Sequence, residues 1–298
     1  MTASAAATTT STTASATTTA PAGETTASAG NDRTRNSAMS AEQRRRLYPR
    51  LWDTDWLVLK GMHRAIDAMA ARIARPGLVA LDFGCGAKPY EPLFTSRGVS
   101  YLGADFDDAH DHQIAKSGKL SAPDASADLV VSFQVLEHVR DLDMYFAEAR
   151  RALRPDGLML LSTHGTWLYH PHPEDHRRWT REGLTGDIEA RGFEVIECVP
   201  IVGPLAWTTT LRLTCFKFAL VKIPLVGGPL AAALGVVMNL KAELEDKVTP
   251  AWVTRDNACV YVTLSRPKVS PQPDLQPNPQ PDPQPDPQPV VAQDHTAP

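Results

Sequence analysis

Residues 81–90 read LDFGCGAKPY, with Asp82 followed by Gly84 and Gly86 one residue apart. Glycine has no Cβ and tolerates positive φ, so two glycines here let the backbone bend sharply and let a ligand approach the main chain. About twenty residues on stands Asp105, a carboxylate able to accept hydrogen bonds from both ribose hydroxyls of a nucleotide. The dinucleotide fingerprint GxGxxG needs a third glycine, and Pro89 occupies that place. A corner with only DxGxG suits a nucleoside that lacks a pyrophosphate and carries an amino-acid tail. Two other readings stay open: a nicotinamide-dependent oxidoreductase, and a non-catalytic nucleoside-binding scaffold.

A second group could move protons. His138, His164, His170, His172 and His176 follow or flank predicted strand ends. An imidazole with an ordinary pKa near 6.5 suits proton removal from a hydroxyl near neutral pH. His164, two residues past Ser162, is the best placed catalytic candidate, and His138 is the second. His170, His172 and His176 are also spaced HxHxxxH. Pro171 and Pro173 prevent a regular helix there, so convergence on a metal cannot be read from the spacing and no metal is assigned. Tyr169, His170 and His172 are instead expected to bind substrate as part of a polar, aromatic lid. Tyr48, Trp52 and Trp56 either roof the same pocket or form a core stripe.

These groups need elements to hold them. Met62, Ile66, Met69 and Ile73 mark one face of a helix within 53–75, ended by Pro76-Gly77. Strands are predicted at 78–83, 99–104, 128–133, 158–162, 193–199 and 258–264. Helices are predicted around 89–97, from 141 toward Pro155-Asp156-Gly157, and over 181–191, capped by Thr180. Strands alternating with helices imply an α/β fold, a doubly wound, mostly parallel sheet covered on both faces. Ligands of such sheets bind outside the carboxyl ends of the strands, here at 82–86, 104–106 and 132–138.

In this order, LDFGCG, YLGAD, PDASADLVVSFQVLEHV and LRPDGLMLLSTHG resemble the class I, Rossmann-like S-adenosylmethionine-dependent methyltransferases, of the type 11 kind. The resemblance is close over 78–165. It implies S-adenosyl-L-methionine as cofactor, with Asp82, Gly84 and Gly86 at its methionine end, Asp105 on the ribose, Phe106 flanking the adenine and Gln134 at the cofactor's edge. The chain departs from many relatives where an acidic residue would meet the adenine amine, since Lys116 and Ser117 stand there. Segments similar to GTWLYHPHPEDHRRWT occur in methyltransferases of surface-sugar and secondary-metabolite pathways. The implied reaction is O-methylation of a small-molecule or glycan-type acceptor.

The rest of the chain sets bounds. Residues 1–40 are mostly Ala, Thr, Ser and Gly, and 269–298 are Pro-rich, so both are expected as disordered tails around a methyltransferase domain over 41–268. The first basic residue is Arg33, which does not fit a secretory leader. A net charge of −4 gives no field for nucleic acid, and Arg44-Arg45-Arg46 is read as a solvated helix face. Four separated cysteines without a CxxC pair fit a reducing cytoplasm. An apolar insertion over about 200–240 carries only basic charges, with Pro224, Gly227, Gly228 and Pro229 expected to break any helix. Peripheral membrane contact through about 198–240, reaching a lipid-linked acceptor, is one reading; a buried helical pair or a dimer surface is the other.

Overall fold

The computed structural model describes residues 39–172 and 174–268. The expected tails lie outside the described residues, apart from positions 39 and 40. The chain enters through α1 (Ala41–Leu47), whose first turn is closed by a reciprocal capping box between Ser40 and Gln43. Next comes α2 (Trp56–Ile73), which buries Met62, Ile66 and Met69 on the face that the sequence marks.

The sheet has seven strands: β1 (Val79–Phe83), β2 (Ser100–Asp105), β3 (His112–Gln113), β4 (Ala127–Phe133), β5 (Leu153–His164), β6 (Phe193–Ile201) and β7 (Val260–Pro267). Their order is β3-β2-β1-β4-β5-β7-β6. All neighbours are parallel except β7, which runs antiparallel to both β5 and β6. The switch point of this order lies beside β1, where Asp82 and the two glycines stand. Strand β5 is longer than predicted: α4 (Leu142–Ala152) stops before Pro155, and Leu153 already pairs with Ala127.

Alternation within the strands feeds two cores. Leu160, Val260, Val262 and Leu264 pack with α2, α3 (Glu91–Thr95) and Trp207 on one face. Met159, Leu161 and Tyr261 pack with α4 and α5 (Arg181–Ala190) on the other. Both faces are covered, so the strands read as near-continuous apolar runs.

Between β6 and β7 lie α6 (Pro204–Leu220), α7 (Gly227–Val248) and α8 (Ala251–Asp256). The expected break falls at 221–226, while Gly227, Gly228 and Pro229 sit in the first turn of α7, where a missing N–H costs no hydrogen bond. No helix among the described residues is long and apolar enough to cross a membrane. Ile201 pairs with Val260, and Val260 with His164, so the insertion leaves and returns at the edge where β5 ends.

Asn239 of α7 is fully buried, and its amide donates to the carbonyls of Leu51 and Asp53, both at 2.7 Å. It ties the insertion to the chain entering α2. Asn239→Ala should destabilise the protein by about 1–3 kcal/mol, the cost of losing two hydrogen bonds to main-chain carbonyls and the packing of a buried side chain, read as a lowered urea midpoint with an unchanged m-value.

Candidate active site

The corner after β1 is built from main chain. The N–H groups of Gly84 and Cys85 both donate to the carbonyl of Ala104, at 2.9 and 3.1 Å, and so bend the chain over the end of β2. Gly84 has φ +83°, and a Cβ there would lie 2.7 Å from Val135. Gly86 has φ +47° with open space where its side chain would be. The carboxylate of Asp105 accepts from the Gly86 and Phe106 N–H groups, each at 2.8 Å, so the acid at the end of β2 organises the glycine loop directly. Phe106 stands beside it, 59% exposed.

Asp82 lines the inner end of this corner and is almost fully buried. Burial pushes its carboxyl up to about 7, against the hydrogen bond donated by the Tyr101 hydroxyl at 2.7 Å and the field of Lys88. Lys88 is spent on Asp111, at 2.7 Å. A buried carboxylate so poorly compensated is a seat for a cation. The corner thus offers an open glycine cradle with one buried carboxylate at its inner end and a second carboxylate tied to its loop, a donor set that fits S-adenosylmethionine. Gln134 closes it from β4: its backbone N–H donates to Ser162, at φ +59°, and its side-chain amide donates to the Ser162 hydroxyl at 3.1 Å.

The corner opens into a cavity of about 1070 Å³ whose far wall carries His138, His164, His170 and His172. His164, at the end of β5, is 2% exposed. Its Nδ1 lies 2.9 Å from Oε1 of Glu137, whose Oε2 accepts from the Thr163 hydroxyl at 2.8 Å. Burial alone would push the Glu137 carboxyl up; its contacts with His164 and Thr163 outweigh that and hold it below the usual range. Nδ1 of His164 and Oε1 of Glu137 are close enough for an ion pair but are not aligned as a hydrogen bond. The ring is stacked on Trp167, with centroids 4.8 Å apart, and lies edge-on to His170 at 5.0 Å.

His138 follows Glu137 on a short 3₁₀ turn (Leu136–His138), and its Nδ1 lies 2.5 Å from the carbonyl of Glu174. It faces the cavity rather than a helix interface. His170 is set by Asp175, which accepts its backbone N–H at 2.9 Å and is gripped by both terminal nitrogens of Arg178. Burial, reinforced by His164 and His138, pushes His170 down to about 4, so it is uncharged at neutral pH. His172 completes the wall.

Tyr169 is 76% exposed and outside the cavity lining. Arg178 donates to the carbonyls of Trp167 and Leu168, drawing those residues inward, and the next side chain turns out. Tyr48, Trp52 and Trp56 do not line the cavity either; Arg45 and Arg46, read as a solvated face, do, together with Val58, Leu59 and Met62 of α2. Lys116 and Ser117 stand in the cavity wall.

The HxHxxxH residues do not converge as spaced, because His176 pairs with Glu174 at 3.0 Å. Glu137, His138 and His170 do bring ligand-type atoms within 4.8 Å of one another; Oε2 of Glu137 accepts from Thr163, and Oε1 lies 2.9 Å from the His164 ring. Sequence reasoning assigned no role to Glu137. Its signal was present in LEH, an acid beside a histidine at a strand end, but its partner His164 is 27 positions away.

Residues 55–198 match the model of a methyltransferase domain family. A probable S-adenosylmethionine-dependent methyltransferase of Mycolicibacterium smegmatis is 32% identical over 136 residues, 40% of this chain and 53% of that protein. A ubiquinone biosynthesis O-methyltransferase of Sinorhizobium fredii is 28% identical over 102 residues, 29% of this chain and 41% of that protein. The chain thus spans about half the length of the curated relatives it matches. Among solved structures, the putative methyltransferase in complex with the Haloferax volcanii Trm112 activator superposes with a TM-score of 0.45 at 17% identity, over 77% of this chain and 98% of that one. With the seven-stranded sheet and the glycine corner already described, residues 55–198 are a methyltransferase domain of the class I, S-adenosylmethionine-dependent family.

Proposed function

We propose that the protein is an S-adenosylmethionine-dependent O-methyltransferase acting on a small hydroxylated or glycan-type acceptor in the cytoplasm, with peripheral membrane contact through 198–240. The observation that carries the reading is the Glu137–His164 pair, an oriented imidazole facing the cavity that the glycine corner opens into. The relative's printed name, an O-methyltransferase of ubiquinone biosynthesis, supports an oxygen acceptor of small-molecule type.

The cofactor supplies an electrophilic methyl group on a sulfonium, which leaves with its electron pair on sulfur as the acceptor oxygen bonds to carbon. The chain's own work is alignment, exclusion of water and removal of one proton. Asp82 holds the ammonium of the cofactor's tail, Asp105 the ribose, and Phe106 flanks the adenine. Nε2 of His164 takes the hydroxyl proton, and Glu137 stabilises the imidazolium that forms. His138, the second catalytic candidate, shares this wall. His170, uncharged, and His172 offer hydrogen bonds to neighbouring hydroxyls of the acceptor, with Tyr169 on the outer rim.

Calorimetric titration with S-adenosylhomocysteine should show binding that Asp105→Ala weakens by at least about tenfold, the cost of losing hydrogen bonds to a charged group. Unchanged affinity would remove the ribose assignment. In methyl-transfer assays against a panel of hydroxylated acceptors, His164→Ala should lower kcat by about 10²–10⁴-fold while S-adenosylhomocysteine affinity holds. Cofactor binding without transfer in the wild type would instead identify a scaffold.

Asp82 predicts a pH dependence. Its carboxyl is protonated below about 7 in the free protein, and only the ionised form attracts an ammonium. Affinity for S-adenosylhomocysteine should therefore rise with pH between 5.5 and 7.5, by up to about tenfold per unit. Asp82→Asn should bind more weakly and flatten that slope.

A further inference from the structure

The α6–α7 hairpin is buried at its base and bare at its end. Trp207, Thr210 and Leu213 of α6 and Ala231, Gly235 and Asn239 of α7 face inward. Beyond Leu213 no α6 residue is buried, and the connecting residues 221–226 are all exposed. Leu225, 98% exposed and held at φ +65°, lies in this connection with exposed Ile223 and Val226, and Phe216 and Phe218 are exposed in the last turns of α6. A group of exposed apolar side chains at the end of a helical pair marks an interaction surface.

Charge identifies what. Between Glu197 and Glu243 the chain carries Arg212, Lys217, Lys222 and Lys241 and no acidic residue, although the whole protein has a net charge of −4. Lys217 and Lys222 flank the apolar end. Aromatic and aliphatic side chains at a tip, ringed by lysines on flexible stems, match the boundary between acyl chains and anionic headgroups. A soluble partner or a second copy would have to supply an acidic rim around an apolar pocket, and nothing on this chain's hairpin answers that need.

We infer that the α6–α7 tip is an interfacial anchor that inserts Leu225, Phe218 and their neighbours into the headgroup region of an anionic bilayer, with Lys217 and Lys222 on the lipid phosphates. The hairpin's base backs the cavity wall: Trp207 stacks at 4.8 Å on Trp167, which lines the cavity and stacks on His164. Resting on the methyltransferase reading, this extends it to the acceptor class, an amphiphile with a hydroxylated head and an apolar tail held in the membrane.

Flotation of the full chain with phosphatidylcholine vesicles, with and without phosphatidylglycerol, tests the anchor independently of catalysis. The protein should rise with the anionic vesicles, rise weakly with neutral ones, and be released in part by added salt. Lys217→Ala with Lys222→Ala should lower affinity for anionic vesicles by about tenfold or more, two basic contacts of about 1 kcal/mol each. Leu225→Asp with Phe218→Asp should abolish flotation. Both variants should keep the wild-type affinity for S-adenosylhomocysteine, which reports a folded cofactor corner and separates failure of the anchor from failure of the enzyme reading. Equal flotation of wild type and variants, or none with either vesicle, would overturn the inference. So would gel filtration showing a dimer that Leu225→Asp converts to monomer, since a second copy would then cover the tip.

Discussion

The histidine-lined wall of the cavity is organised by one carboxylate placed where water does not reach. Glu137 is fully buried, and an ionised acid in such a place is stable only when its oxygens are engaged. At the end of β5, the Thr163 hydroxyl donates to one oxygen and the His164 ring stands 2.9 Å from the other. The same residue's carbonyl accepts the backbone N–H of His176 at 2.9 Å. One residue after β4 thus binds the end of β5 by its side chain and the returning segment after it by its main chain. The desolvation cost of the charge is what makes this geometry specific: any looser arrangement leaves an unpaired ion in the core.

The cofactor side obeys a different constraint. There the requirement is space beside the backbone. Positive φ at Gly84 and Gly86 after β1, and at Gln134 after β4, turns two neighbouring strand ends away from the strand direction, and Asp105 ties the first of these loops to the end of β2. A carboxylate that already accepts two N–H groups keeps lone pairs for hydroxyls while remaining fixed in position. The two halves meet at Gln134 and Ser162, where β4 and β5 part.

Much of this was legible in the chain because it is local. The apolar runs at 78–83 and 128–133 and the glycine spacing specify strands and a bend with no help from distant residues, and the switch-point rule then puts Asp82 and Asp105 at one edge. The alternation of Met159, Leu160 and Leu161 between two cores was likewise implied by the α/β rhythm. What escaped depends on contacts between distant positions. The pairing of Glu137 with His164 is invisible to spacing. The outward turn of Tyr169 follows from Arg178 seizing two carbonyls ten positions back, and Arg45 and Arg46 reach the cavity because α1 folds over α2. The two helices of the insertion were obscured by Pro229, which the first turn of α7 accommodates at no cost.

The antiparallel placement of β7 has a consequence for the segment that precedes it. Because Ile201 and Val260 are paired, the segment between them closes on adjacent points of the sheet, and its length is free to change without disturbing strand register. A different module joined at those two points would leave the pairing of β1, β2 and β4, and with it the glycine corner, unaltered.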